Sequence, residues 1–319
     1  MVDALRIVFL GTPDFATPSL RALIGSRHSV VGVVSQPDRP KGRGHQLQAT
    51  PTKGVAQTHG IPVLQPSKIR EEAFLQQIRD LHPDLGVVVA FGRILPDSLL
   101  AIPRLGMINV HASVLPRYRG AAPIQRAVLA GDAETGVTIM RVETELDAGP
   151  TFAVATTPVP SDATSGDIET VLATMGAELL LPVVDDLASG RAVETPQDHA
   201  RATFAPKITK EEGVIDWSEP AERIHNRVRG LQPWPLASTR LEGARVVLRR
   251  TRPALAPADV PNADLAPGTV VAVTKDELFV ACGSQTLLRI LEVQPEGRRT
   301  MTVRELLAGH RIAEGARFG

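Results

Sequence analysis

Cysteine occurs once in the 319 residues, at Cys282. No disulfide framework or thiolate metal cluster can therefore form, and a lone thiol among apolar neighbours reads as core packing in a reducing compartment. Nowhere is the chain continuously apolar for the roughly 20 residues that a bilayer span needs. Met1-Val2-Asp3-Ala4 runs straight into the strand-like Arg6-Ile7-Val8-Phe9-Leu10, so a soluble, untargeted, cytoplasmic protein is expected. Net charge is missing too: 35 basic residues against 35 acidic ones argue against a generic nucleic-acid coat, while leaving local asymmetry open. No His/Cys/Asp cluster has ligand spacing, so no metal is expected. No internal repeat is present, and without a long exposed apolar seam a monomer is expected.

What is present begins with enough apolar material, 43% of 319 residues, for two domains with packed cores. The first part of the chain alternates short apolar runs with amphipathic segments. Arg6 to Leu10, Val30 to Val34 and Leu85 to Ala90 read as buried strands. Thr17-Pro18 offers a cap and a first-turn proline for a helix that Gly25 can end, and Phe74, Leu75, Ile78 and Leu81 recur at helical spacing. Continuous Val/Ile runs separated by helices predict an α/β fold with a doubly wound, mostly parallel, Rossmann-like sheet, covered on both faces and binding ligands at the carboxyl ends of its strands. A dinucleotide is the obvious ligand for such a sheet. The first strand-helix turn is Gly11-Thr12-Pro13-Asp14-Phe15, however, which lacks the glycine triplet that admits a pyrophosphate, and Pro13 removes a donor. The oxidoreductase reading becomes a minor alternative.

The pattern changes near Gly190. The expected division is a first domain over 1–189, a linker over 190–206 broken by Thr195-Pro196-Gln197-Asp198 and Ala205-Pro206, and a second domain over 207–319. In the second domain the period becomes two. A helix over about Glu219 to Arg229 is followed by short strands at 245–248, 268–273, 277–281 and 286–291, with 253–267 as a loop, which predicts a small antiparallel β-barrel.

The chemistry gathers around one strand end. In Ile108-Asn109-Val110-His111-Ala112, residues 109 and 111 are two apart and project from the same face. Leu115-Pro116 then turns the chain away. Asp147, in Glu145-Leu146-Asp147-Ala148-Gly149, lies in a loop between two further strand candidates, 137–142 and 151–155, where a carboxylate could reach back to the imidazole. The competing reading is bland: Asn and His near strand ends often satisfy backbone groups, and Asp before a glycine is ordinary turn chemistry.

Longer motifs decide between these readings. Asn109-Val110-His111-Ala112-Ser113-Val114-Leu115-Pro116, Arg119-Gly120-Ala121-Ala122-Pro123-Ile124-Gln125 and Leu146-Asp147-Ala148-Gly149 resemble the signature of the folate-dependent formyltransferases. The likeness widens to the branch acting on aminoacylated tRNA through Gly11 to Ala16, Gln36 to Pro40, Gly42-Arg43-Gly44, Gly131 to Thr138, Lys210-Glu211-Glu212, Ile215-Asp216-Trp217 and Pro233-Trp234-Pro235. It runs from about Leu5 to Leu307. Two positions depart from the pattern: Ala112 stands where many members have Gly, and Val114 where the folate loop usually has Leu.

The resemblance implies transfer of a formyl group from 10-formyltetrahydrofolate to the α-amino group of methionyl initiator tRNA, for initiation of protein synthesis. It also implies an OB-like character for the barrel. Attack by an amine on a formamide-like carbonyl builds negative charge on oxygen, which a preorganised donor stabilises, and Asn109 is the implied donor. The amine must lose a proton, and histidine is the side chain that exchanges protons near neutral pH, so His111 is the implied base with Asp147 orienting it. Ser113, Val114, Leu115 and Pro116 are implied to line the folate, and the loop Ala90 to Pro96 to offer backbone groups to its pterin. Arg39, Lys41 and Arg43, in an acid-free run reaching to Lys53, together with Lys207 and Lys210 and the arginine-rich run 240–252, are implied to meet tRNA phosphates. A formyltransferase acting on an amino-sugar nucleotide would share Asn109, His111 and Asp147 but has less reason for the basic loop. A formyltetrahydrofolate hydrolase needs no RNA surface, and an idle tRNA-binding module conflicts with the intact Asn/His/Asp set.

Overall fold

The computed structural model describes residues 4–41, 46–255 and 265–319. The chain divides into two compact units. The first comprises the residues up to Pro123 with Glu134–Pro158 and Glu169–Pro206; the second comprises Ile124–Ala133, Val159–Ile168 and Lys207–Gly319.

In the first unit a seven-stranded sheet runs in the order Thr151–Pro158, Glu134–Arg141, Met107–His111, Leu85–Val89, Arg6–Gly11, Ser29–Val34, Val63–Leu64. The last five pair parallel, and the first two are antiparallel additions on the far side of Met107–His111. The Val-rich strands are parallel and buried on both faces: every residue of Leu85–Val89 is buried. Phe74, Leu75 and Ile78 of the helix Glu72–Asp80 supply one covering layer, packed with Val8, Leu10, Val88 and Met107. Each such side chain contributes about 1.5–3 kcal/mol by leaving water.

The first helix, Thr17–Ile24, ends at Gly25 as expected, but Thr17 does not cap it. Its hydroxyl donates instead to the Asp14 carbonyl 2.9 Å away, because a single 3-10 turn, Asp14–Ala16, already leads into the helix. The segment 190–206, expected as a linker, lies along the first unit. Thr195 bridges to Thr151, and Phe204–Ala205 pairs in parallel with Arg119–Gly120.

In the second unit the helix Ala221–Gly230 packs on an antiparallel sheet of order Ala237–Leu241, Ala244–Ala254, Thr286–Pro295, Leu278–Cys282, Val270–Val273, with Met301–Thr302 added to Thr286–Pro295. The strand at 245–248 extends to Ala254 and its partner to Pro295, through irregular register at Arg249 and around Arg250. The arginines there hide the alternation that would mark a strand. The hairpin before it turns at Glu242 and Gly243, both with positive φ (51° and 83°), the geometry that matches strand twist in a two-residue turn. The sheet does not close strand to strand among the described residues. The segment around Phe318 lies between its edges, Leu241 bridging to Phe318 and Thr269 to Arg317. The loop expected over 253–267 falls partly on residues outside those described. Cys282 sits in this core, and burial pushes its thiol up to about 12, as expected of a packing residue.

Candidate active site

Parallel strands leave their carboxyl ends at one rim of the first sheet, and Met107–His111 ends there next to the antiparallel strand Glu134–Arg141, with His111 opposite Thr138 and Asn109 opposite Met140. Asn109 and His111 alternate onto one face as the strand period requires. Asn109 is half-buried and His111 buried at 5% exposure.

The imidazole has two neighbours. Nε2 lies 2.9 Å from the Tyr118 carbonyl, and Nδ1 lies 3.7 Å from Asp147 Oδ2. A carbonyl oxygen can only accept, so Nε2 carries a hydrogen and Nδ1 is the nitrogen with a lone pair in the neutral ring. A proton arriving at Nδ1 meets the carboxylate. The 3.7 Å separation exceeds a direct hydrogen bond. The direct partner of Asp147 Oδ2 is instead the Gly120 amide, 2.8 Å away. Asp147 itself has φ of 49°, a left-handed conformation that Asp tolerates better than most residues.

The loop after the strand is shaped from within. Ser113 is fully buried, and its hydroxyl donates to the Arg117 carbonyl at 2.6 Å, so this residue, expected to line the folate, is occupied in holding the turn. Thr138 completes the turn, donating to the Ser113 carbonyl at 2.7 Å and accepting from the Leu115 amide at 3.1 Å. Leu115 is buried at 7%, whereas Val114 and Pro116 are half-buried and present the accessible surface of this loop. Beside the Asp147 turn lies a cavity of about 600 Å³ lined by Asp97, Leu100, Ala101, Glu143, Thr144 and Glu145. Asp97, Glu143 and Glu145 bring carboxylates to its lining, and Leu100 and Ala101 are its apolar part.

Sequence reading missed the groups that orient the set. The Tyr118 carbonyl, the Gly120 amide and Thr138 act through backbone or paired-strand geometry that no spacing announces. Gln197 was read as part of a chain break; it is 8% exposed, and its Nε2 donates to the carbonyls of Asp147 (2.9 Å) and Gly149 (2.7 Å).

The basic residues are distributed. Arg39 is exposed at the start of the strand Arg39–Lys41, which pairs with Gln46–Gln48. The side chain of Lys41 is not described, and Arg43 lies outside the described residues. Lys53 is not free for a ligand: its Nζ sits 2.5 Å from Asp38, and this hydrogen bond, with that from Gln65, holds the Asp38 carboxyl below the usual range. In the second unit Lys207 and Lys210 are exposed. The turn carrying them is pinned by Arg126, which bonds Glu212 at 2.5 and 3.0 Å and the Lys207 carbonyl at 3.3 Å, and holds the Glu212 carboxyl low. Arg250 and Arg252 are paired with Glu292 and Asp162, but Arg240 and Arg245 stand directly opposite each other across the hairpin, both exposed.

A strand-end Asn and His are thus faced by a loop Asp on a parallel sheet extended by an antiparallel pair, and the first strand-helix turn, Gly11-Thr12-Pro13, lacks the glycine triplet of a dinucleotide site. Residues 5–184 match the formyl transferase family and residues 207–311 the formyl transferase C-terminal domain, and the chain belongs to this family. Among its relatives, the methionyl-tRNA formyltransferase of Pelobacter propionicus is 48% identical over 318 residues, covering 100% of this chain and 97% of the relative. That of Methylococcus capsulatus is 48% identical over 317 residues, covering 99% and 100%. Solved structures share the fold at lower identity. The N-formyltransferase from Helicobacter canadensis, in complex with folinic acid and dTDP-3-aminofucose, superposes with a TM-score of 0.67 at 15% identity over 91% of this chain and 99% of that one. HypX from Aquifex aeolicus in complex with tetrahydrofolic acid gives 0.61 at 18% identity over 96% of this chain, which spans 47% of HypX.

Proposed function

We propose that the chain transfers the formyl group of 10-formyltetrahydrofolate to the α-amino group of methionyl initiator tRNA. The observation that carries this reading is its alignment over nearly full length, at close to half identity, with proteins named for that acceptor, on a chain whose His111 and Asp147 meet beside Asn109. The sugar N-formyltransferases share the fold at far lower identity.

In this reading the amine attacks the formyl carbon, the carbonyl oxygen gains negative charge, and the Asn109 amide donates to it. A free α-amine has a pKa near ~8 and is largely protonated at neutral pH, so a base is needed. His111 takes the proton on Nδ1 while Nε2–H stays on the Tyr118 carbonyl, and Asp147 stabilises the charge so created before the proton passes to the leaving folate nitrogen. Val114 and Pro116 present the folate-facing surface, on a loop held by Ser113 and Leu115. The loop Ala90 to Pro96 offers backbone groups to the pterin, with the cavity beside Glu145 as the space that receives it. Arg39, Lys41, Arg43 and Lys207 contact tRNA phosphates, and Arg240 and Arg245, opposite each other across the hairpin of the second unit, offer further cationic contacts there. A monomer working in the cytoplasm completes the reading; among the described residues no helix is long and apolar enough to cross a membrane.

The test is transfer of labelled formyl from 10-formyltetrahydrofolate to charged methionyl initiator tRNA, beside methionyl elongator tRNA and a no-RNA control. Labelled formyl-methionine on the initiator is the expected outcome, with a rate that falls as salt rises. Free formate without RNA would mark a hydrolase, and inertness toward both tRNAs would redirect the search to amino-sugar nucleotides.

A further inference from the structure

Among the described residues the largest fully buried side chain is charged: Arg119, 2% exposed. A guanidinium out of water persists only where its donors are met, because an unpaired buried charge costs several kcal/mol. Gln197 Oε1 accepts from Arg119 Nη2 at 2.8 Å and from Nε at 3.2 Å; His199 Nδ1 lies 3.2 Å from Nη2, and Glu145 Oε1 lies 3.5 Å from Nη1. Arginine can only donate, so the orientation of the Gln197 amide is forced: oxygen toward Arg119, nitrogen toward the carbonyls of Asp147 and Gly149. The residue that follows Arg119 is Gly120, whose amide holds the Asp147 carboxylate. The Asp147 turn is therefore gripped twice from one place, by its backbone through Arg119 and Gln197 and by its side chain through Gly120.

We infer that Arg119 and Gln197 form a positioning clamp for Asp147, and that the segment 190–206 is thereby part of the active-site framework. This inference rests on the reading of Asp147 as the group that stabilises the His111 proton. A non-glycine residue with φ of 49° at the tip of a glycine-bearing loop has no regular secondary structure to hold it, and the two carbonyls that Gln197 binds are that of Asp147 itself and that of Gly149 two residues on. Neither Arg119 nor Gln197 is placed among the reacting atoms; both act through the loop. Hydrogen bonds from a rigid neighbour of this kind keep a catalytic group within the few tenths of an ångström that transition-state geometry demands.

The experiment compares Gln197→Leu, Gln197→Glu, Asp147→Asn and the double variant Gln197→Leu/Asp147→Asn in full-length protein. It reads kcat and KM for formyl transfer to methionyl initiator tRNA, tetrahydrofolate affinity, and thermal unfolding as a check on folding. Gln197→Glu keeps an oxygen on Arg119 but puts the other oxygen where Nε2 donated to the two carbonyls, so it isolates the grip on the turn. The expected result is a fall in kcat of about tenfold or more for both Gln197 variants, with KM for tRNA within about threefold, and a double variant no slower than Asp147→Asn alone, since a carboxylate already removed cannot be misplaced. Wild-type kcat in folded Gln197→Leu and Gln197→Glu would overturn the clamp. So would losses that multiply in the double variant, which signal a general structural role. If Asp147→Asn itself turned over like wild type, the assignment of Asp147 would fail first and the clamp with it.

Discussion

The two sides of the proposed active site are built on opposite principles. Asn109 and His111 stand on Met107–His111, a strand flanked on both sides by hydrogen-bonded neighbours, so their spacing and facing follow from the pleat. Asp147 stands in a loop with left-handed backbone, and its place is set by Gly120, Gln197 and, behind Gln197, Arg119. A strand residue inherits its geometry from the sheet; a loop residue has to be held by side chains and amides that arrive from other parts of the chain. The strand side should therefore be sensitive only to loss of the functional group, and the loop side to changes in residues that never meet substrate.

The largest effect is expected on the strand. Asn109→Ala and His111→Ala should each lower kcat by about a hundred- to a thousandfold, the range for an oxyanion donor and a general base; the melting temperature stays near wild type for half-buried Asn109 and falls for His111→Ala, which empties a buried site and leaves the Tyr118 carbonyl without its donor, without unfolding the protein. Steady-state kinetics beside a melting curve checks this; near-normal turnover in either folded variant removes that residue from the mechanism.

On the loop side a single methyl group should suffice. A Cβ on Gly149 would stand 2.2 Å from the Arg141 carbonyl, a backbone atom that cannot swing away. Gly149→Ala should cost about 1–3 kcal/mol of stability and shift the Asp147 turn, lowering kcat about tenfold with Asn109 and His111 intact. Urea unfolding together with kcat measures both, and unchanged turnover in this variant would erase the contrast between the two sides.

The smallest effect lies at the amino end of the same sheet, away from the rim that carries the site. Burial alone would raise the Asp84 carboxyl, but hydrogen bonds from the Arg6 amide (2.8 Å) and Arg104 (2.7 Å) outweigh it and hold the group below the usual carboxylate range. A carboxyl lowered in the folded state stabilises at pH values above its unfolded pKa, and this contribution fades as pH falls through the folded value. Asp84→Asn should thus cost about 1–2 kcal/mol at neutral pH, lose its effect progressively in acid, and leave kcat unchanged. Melting curves of the two proteins from neutral pH downward should converge; curves that stay parallel would show that the Asp84 charge contributes nothing.

Legibility followed the same division. The Val-rich runs, the pair of alternating site residues and the change to period two after the first unit were visible because burial and backbone period impose them locally. The strand Ala244–Ala254 was only half visible, since its arginines break the apolar alternation while cross-strand pairing with Thr286–Pro295 carries it on. The motif that implies a folate-lining place for Ser113 does not announce that its hydroxyl holds the turn through the Arg117 carbonyl. Lys53 was counted with the free basic run, although Asp38 just upstream folds back onto it.

By itself the sequence determined the α/β sheet, the antiparallel second unit, the family signature and the three residue types at the site, because hydrophobic period and motif spacing are local properties of a chain. Tertiary structure alone decided which imidazole nitrogen faces Asp147, that Gly120 and not His111 is the direct partner of the carboxylate, and that Gln197, fifty residues further on, fastens the turn. Those contacts join backbone amides and carbonyls that every residue possesses, and such groups carry no letter in a sequence until the fold brings them within 3 Å of one another.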